Sequence, residues 1–109
     1  MPTTHSIPDP CGVFIKSKNG NIYHTGDWKI DPNPVVGKKF NIKNYDILKD
    51  QQLDLLVGDS TNANVTTSSR SESELVKSFD KIFKELKGRI VVTCFSSNIA
   101  RLKTIISTA

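Results

Sequence analysis

The chain has 109 residues, enough for one small domain with a modest core and too few for a large enzyme. A composition of 37% hydrophobic and 24% charged residues, with 6 Gly and 5 Pro, excludes disordered and collagen-like chains. Fifteen Lys and Arg against eleven Asp and Glu leave a net charge of +4, compatible with a polyanionic partner but equally with an enzyme of neutral substrates. Cys11 and Cys94 lie in apolar runs. They make neither a disulfide framework nor a zinc-type spacing and are expected as buried, reduced thiols. No charged segment followed by an apolar one opens the chain, and no run approaches the ~18 apolar residues of a membrane span. The expectation is a cytoplasmic protein with no membrane partner.

Cys11 to Lys16 and Ile22 to Thr25 predict a β-hairpin with Asn19-Gly20 at the centre of its turn. Gly26-Asp27 breaks the second strand, and Asp31-Pro32-Asn33-Pro34 forbids regular structure. Residues 35–52 are polar and aperiodic, with one short helical turn expected around Tyr45 to Leu48. Leu53 to Val57 reads as a strand, ended by the turn chemistry of Gly58 to Asn62. A Ser/Thr-rich loop then leads into a helix. Ser71 and Glu74 have capping-box spacing, and Leu75, Val76, Phe79, Ile82, Phe83 and Leu86 repeat on one face. Gly88 is expected to stop that helix as a C′ glycine. Arg89 to Phe95 predicts a buried strand. Ser96-Ser97-Asn98 caps a second helix with Ile99, Leu102, Ile105 and Ile106 on its apolar face. The order β-β, irregular, β, α-β-α implies an α/β protein.

Three segments place reactive side chains at strand ends, where open α/β sheets hold ligands: His5 to Asp9, His24 to Lys29, and Gly58 to Asn62. Imidazole and carboxylate together suit a borderline or hard metal ion. Taken alone, each segment is better served by a solvated histidine or by an aspartate bonding its own turn. His24 reads as structural, and Trp28 and Lys29 either line a cleft or pack inward.

In their order, these segments are similar to the ribonuclease J branch of the β-CASP metallo-β-lactamase family. The resemblance is carried by His5-Ser6-Ile7-Pro8-Asp9, His24-Thr25-Gly26-Asp27-Trp28-Lys29 with Asp31, and Asp59-Ser60-Thr61-Asn62-Ala63. It continues through Ser71-Glu72, Gly88-Arg89-Ile90-Val91-Val92 and Phe95-Ser96-Ser97-Asn98-Ile99-Ala100-Arg101, running essentially end to end. The resemblance implies a pair of divalent ions, zinc or alternatively manganese, activating a water against an RNA phosphodiester. It makes His5 a metal ligand, Asp27 the bridging ligand, and Asp59 an acidic residue supporting the catalytic centre. Ser97 and Asn98 would face bound RNA at a helix start, where plain N-capping is the alternative. It further implies that residues 1–62 close a metallo-β-lactamase αββα sandwich and residues 63–109 begin a β-CASP domain with its first α-β-α.

The family's His-x-His-x-Asp-His run is absent, and the chain holds only 2 His. A catalytic ion ordinarily needs about three protein ligands. The chain is therefore expected to be an internal fragment of a longer metal-dependent ribonuclease, 5′-exonucleolytic or endonucleolytic, acting in RNA maturation and decay. As an isolated chain it is expected to be inactive, and homo-oligomerisation of the full-length enzyme stays open. The alternatives are a non-catalytic RNA-binding or relic module, or another hydrolase of the same fold.

Overall fold

The computed structural model describes residues 1–109. Strand β1 (Val13–Ser17) pairs antiparallel with β2 (Gly20–His24), Val13 standing opposite His24 and Ser17 opposite Gly20. The hairpin forms as expected, but its two-residue loop is Lys18-Asn19 rather than Asn19-Gly20. An Asn-Gly turn would need a positive φ at Asn19, and no residue other than glycine has one. Instead the Ser17 hydroxyl accepts from the Asn19 N–H at 3.2 Å and donates to the Gly20 carbonyl at 2.8 Å, and Gly20 opens β2 at φ 141°.

Strand β3 (Leu55–Val57) lies parallel to β2, Ile22 opposite Leu55 and His24 opposite Val57, giving the sheet order β1-β2-β3. Asp54 fixes this register by accepting the Asn21 N–H at 2.7 Å, while the Asn21 amide donates to the Gln52 carbonyl at 2.8 Å. Period-two alternation places Phe14, Tyr23 and Leu56 on one face and Val13, Ile15, Leu55 and Val57 on the other. A 3-10 helix over Ile42–Leu48, capped by the Asn41 side chain on the Lys43 N–H, brings Tyr45 edge-on to Tyr23 at 6.1 Å, with Phe40 beside it. Tyr23 is buried, whereas Leu56 on the same face and Val13, Ile15, Leu55 and Val57 on the opposite face are exposed.

Helix α1 spans Ser73–Glu85. Half of the expected capping box is present: the Ser71 N–H donates to Glu74 Oε1 at 3.4 Å. The Ser71 hydroxyl accepts from the Ser73 N–H at 3.3 Å, one residue short of the partner the full motif requires. The helix ends at Glu85 because Leu86 turns extended (ψ 138°). Gly88, at φ 95°, therefore lies beyond the end and is not its C′ residue. Helix α2 (Ile99–Thr108) packs on α1 and is capped by Asn98, whose side-chain oxygen accepts the Arg101 N–H at 2.9 Å.

Two further expectations fail. Arg89–Phe95 is not a strand: it runs without pairing, with Val91 81% and Phe95 83% exposed. The α-β-α expected over 63–109 is thus two helices joined by an unpaired link. A strand gains its backbone bonds only from a neighbour, and β1-β2-β3 pairs within itself. Cys94 is exposed with this link, and Cys11 is exposed ahead of β1, so neither thiol is buried.

The outcome is a mixed α/β chain of 62 × 25 × 25 Å. Tyr23 and Ala100 are its only buried apolar residues; Thr3, Thr4, Asp31, Ser71 and Thr104 are buried polar ones. The best-enclosed part of the molecule is therefore a polar seam. No helix is long and apolar enough to cross a membrane.

Candidate active site

The ends of β2 and β3 and the segment around His5 meet at one cleft of about 620 Å³, lined by His5, Asp27, Trp28, Lys29 and Asp59 together with the Ser60–Ala63 turn. Thr4 and Lys29 form an antiparallel bridge, the Lys29 N–H donating to the Thr4 carbonyl at 2.9 Å, which carries His5 alongside the chain that follows Asp27. The turn into Asp27 needs Gly26, at φ 65° with a virtual Cβ only 3.2 Å from the Cys11 carbonyl. His24 is not in the cleft. Its Nδ1 accepts the Gly26 N–H at 3.0 Å and steadies that turn, consistent with the structural role its position suggests.

Asp59 reaches the cleft because its N–H donates to the Thr25 hydroxyl at 3.1 Å while the Thr25 N–H donates to the Val57 carbonyl at 2.9 Å. Asp59 Oδ1 accepts both the Thr61 hydroxyl at 2.6 Å and the Thr61 N–H at 2.9 Å. The Thr61 hydroxyl first, then its N–H, hold the Asp59 carboxyl below its ordinary pKa, with smaller help from the Trp28 N–H and from His5. A carboxylate held ionised in this way can orient a proton or a cation but is a poor acid.

A second cleft of about 340 Å³ adjoins the first, sharing His5 and Lys29 and lined further by Ser6, Ser97 and Asn98. The first turn of α2 is fixed there by the Ala100 N–H, which donates to the Ser6 carbonyl at 2.9 Å. The structure thus brings His5, Asp27 and Asp59 to one cleft and sets Ser97 and Asn98 beside His5. The Asn98 carbonyl oxygen is engaged in capping α2.

A metal ion is the cofactor this set of side chains suggests, and the chain alone does not complete a site for one. No three His, Cys, Asp or Glu side chains lie close enough together to hold a common ion. His5 and Asp27 supply two candidate ligands and no more.

Reading by motif included Asp31 but gave it no role, and the structure makes it a buried hub beside the site. Asp31 is 2% exposed. Its Oδ1 accepts the Asn33 N–H at 2.9 Å, its Oδ2 accepts the Glu72 N–H at 3.2 Å, and Lys29 Nζ stands 3.5 Å away. Burial alone would raise this carboxyl, but the neighbouring Ser71 hydroxyl, the Asn33 and Glu72 N–H groups and Lys29 outweigh it, leaving the pKa below its ordinary value. Glu72 in turn pairs with Arg101 through both carboxylate oxygens, at 2.5 and 3.3 Å. In sequence Asp31 reads as an acid among prolines at the end of the Asp27 motif, which marks a breaker and not a buried hub.

The fold and cleft define an α/β protein with an imidazole- and carboxylate-lined site at its strand ends. By sequence the chain is similar, along nearly all of its 109 residues, to a part of ribonuclease J proteins. It is 40% identical over 103 residues to ribonuclease J of Thermus thermophilus, covering 94% of this chain and 18% of that protein. To ribonuclease J of Sinorhizobium meliloti it is 37% identical over 105 residues, covering 96% and 19%, and to that of Helicobacter pylori 40% over 99 residues, covering 91% and 14%. The chain therefore spans less than a fifth of the length of these relatives. No family model matches it.

Proposed function

We propose that this chain is an internal segment of a metal-dependent ribonuclease that hydrolyses RNA phosphodiester bonds in RNA maturation and decay in the cytoplasm, by 5′-exonucleolytic or endonucleolytic cleavage. The observation that carries this reading is the convergence of His5, Asp27 and Asp59, from three distant segments, on one cleft in a chain matching ribonuclease J along nearly its whole length. In this reading residues 1–62 end a metallo-β-lactamase sandwich and residues 63–109 begin a β-CASP domain. His5 and Asp27 are ligands of a two-ion centre, zinc or manganese, whose remaining ligands lie outside this chain. Such ions would supply an activated water and charge stabilisation at the phosphate. Asp59 supports the centre, Ser97 and Asn98 face RNA, and the 109-residue chain alone is inactive. The exposed apolar face of Val13, Ile15, Leu55 and Val57 and the unpaired link at Arg89–Phe95 support a segment designed to be covered by more protein.

The test is cleavage of end-labelled RNA by the full-length protein, with and without a chelator, against Asp27→Asn. Metal-dependent cleavage abolished by the substitution is expected; near-normal cleavage by Asp27→Asn would sink the assignment. A second reading, a non-catalytic RNA-binding module, draws on the lack of three grouped ligands. Salt-dependent RNA binding by the full-length protein with no cleavage under any divalent ion would establish it.

A further inference from the structure

The two clefts share one cation. Lys29 lines both, and no other lysine or arginine lines either. The surrounding charges are Asp27 and Asp59 in the first cleft and Glu72, already paired with Arg101, in the second, so a polyanion approaching His5 meets two uncompensated carboxylates and one ammonium. Lys29 is also held with unusual completeness for a surface lysine. Its backbone is clamped on both sides by Thr4, whose carbonyl accepts the Lys29 N–H while its hydroxyl donates to the Lys29 carbonyl. The same hydroxyl accepts the Asp31 N–H at 3.1 Å, tying the two residues to one anchor. Lys29 Nζ donates to the Arg70 carbonyl at 3.1 Å and lies 3.5 Å from Asp31 Oδ2, with the side chain still 25% exposed. An ammonium has three N–H bonds, so one remains for the cleft.

We propose that Lys29 is a contact for an RNA backbone phosphate and that Asp31 is the positioning residue that aims its ammonium at the wall between the two clefts. The inference rests on the ribonucleolytic reading above. Asp31 does not simply neutralise Lys29: its two oxygens already accept the Asn33 and Glu72 N–H groups, so the carboxylate charge is shared among several donors and the 3.5 Å approach of Lys29 is a loose one. The carboxylate is held ionised by the same neighbours. Through the Glu72 N–H, Asp31 also fixes the start of α1 against the cleft, so the lysine is aimed relative to Ser97 and Asn98 as well as to Asp27.

The sign of one measurement separates positioning from bulk charge. Removing a negative charge near a phosphate site should tighten RNA binding if only the net field matters; loss of aim should weaken it. The affinity of the full-length protein for a short 2′-O-methyl RNA, which resists cleavage, is measured across a salt series in chelator. For Lys29→Gln, which removes the charge and leaves a neutral N–H donor, we expect several-fold weaker binding and a log–log salt slope smaller by about 0.7, the value of one single-strand phosphate contact. Asp31→Asn is expected to weaken binding several-fold in the wild-type background and not at all in the Lys29→Gln background. Unchanged or tighter binding by Asp31→Asn, or equal losses in both backgrounds, overturns the positioning role. An unchanged slope for Lys29→Gln overturns the phosphate contact even if Asp31→Asn does not fold. Wild-type protein with no salt-dependent RNA affinity overturns the ribonucleolytic reading together with this inference.

Discussion

Residues 1–62 and 63–109 reach order by different means. In the first region strands pair, side chains lock the register, and a polar seam around Thr4 and Asp31 is buried. In the second, two helices pack on each other, α1 buries no residue at all, and the link between the helices leaves Val91 and Phe95 open. The regions are joined by polar bonds: Ser71 to the Asn33 carbonyl, the Glu72 N–H to Asp31, the Ala100 N–H to the Ser6 carbonyl. Directional bonds of this kind fix a relative placement that apolar contact alone would leave loose. A site shared between two regions benefits from that, because a small misplacement of a reacting group costs rate steeply.

The contrast can be broken at several points. Asp27→Asn in the full-length protein should lower RNA cleavage by about three orders of magnitude and leave RNA affinity near wild type, read by single-turnover cleavage beside a binding titration. Asp59→Asn should slow turnover by roughly ten- to hundredfold, since general acid–base or charge support is worth about that much or more; Thr61→Val, which removes the hydroxyl bond to Asp59 and keeps the N–H bond, should give a smaller loss in the same direction. The two regions should also differ in their tolerance at glycine. Gly37→Ala places a Cβ 2.2 Å from the Pro8 carbonyl at φ 76° and should destabilise the protein by more than the roughly 1 kcal/mol of backbone strain. At Gly88, φ 95° with nothing within 4 Å, alanine should cost about that strain and no more; equal melting temperatures for the two variants would contradict this.

A gentler probe is pH. The folded-state pKa of Asp31 lies below its ordinary value, so its contribution to stability is fully present above the unfolded value of about 3.9. That contribution is lost as pH falls through the lower folded value. Asp31→Asn should therefore flatten the acid limb of the stability curve below about pH 4 and leave the neutral range parallel to wild type. The smallest effect should come from Val91→Thr, which is expected to change the stability of the 109-residue chain by no more than about 0.5 kcal/mol. In the full-length protein the same substitution should cost about 1–3 kcal/mol if more protein covers this link.

Local signals placed much of the fold. The apolar runs Cys11 to Lys16 and Ile22 to Thr25 around an Asn-Gly turn signal marked the hairpin, the period of Leu75 to Leu86 marked α1, and Ser96-Ser97-Asn98 marked the start of α2. Errors arose where a neighbour outside the local window decides. Ile90 to Phe95 has every property of a buried strand, yet a strand without a partner has no ladder to join, and Cys94 is exposed for the same reason. At the turn, Asn19-Gly20 carried the stronger hairpin signal, but Ser17 captured the Asn19 N–H and moved the loop back by one residue. In the site, the ordered motifs pointed to His5, Asp27 and Asp59, one imidazole and two carboxylates that are unspecific singly and become specific only in their order along the chain.

Asp31 was the opposite case. Its neighbours in sequence are an isoleucine and a proline, and its meaning comes from Thr4, Asn33, Ser71, Glu72 and Lys29. The resemblance to ribonuclease J, the hairpin, the two helices and the reactive side chains follow from short-range pattern, because propensity, capping and motif spacing are properties of contiguous chain. Which carboxylate becomes the buried hub, which lysine faces both clefts, and which apolar run stays unpaired depend on segments tens of residues apart meeting in space. Burial and hydrogen-bond satisfaction exist only after that meeting.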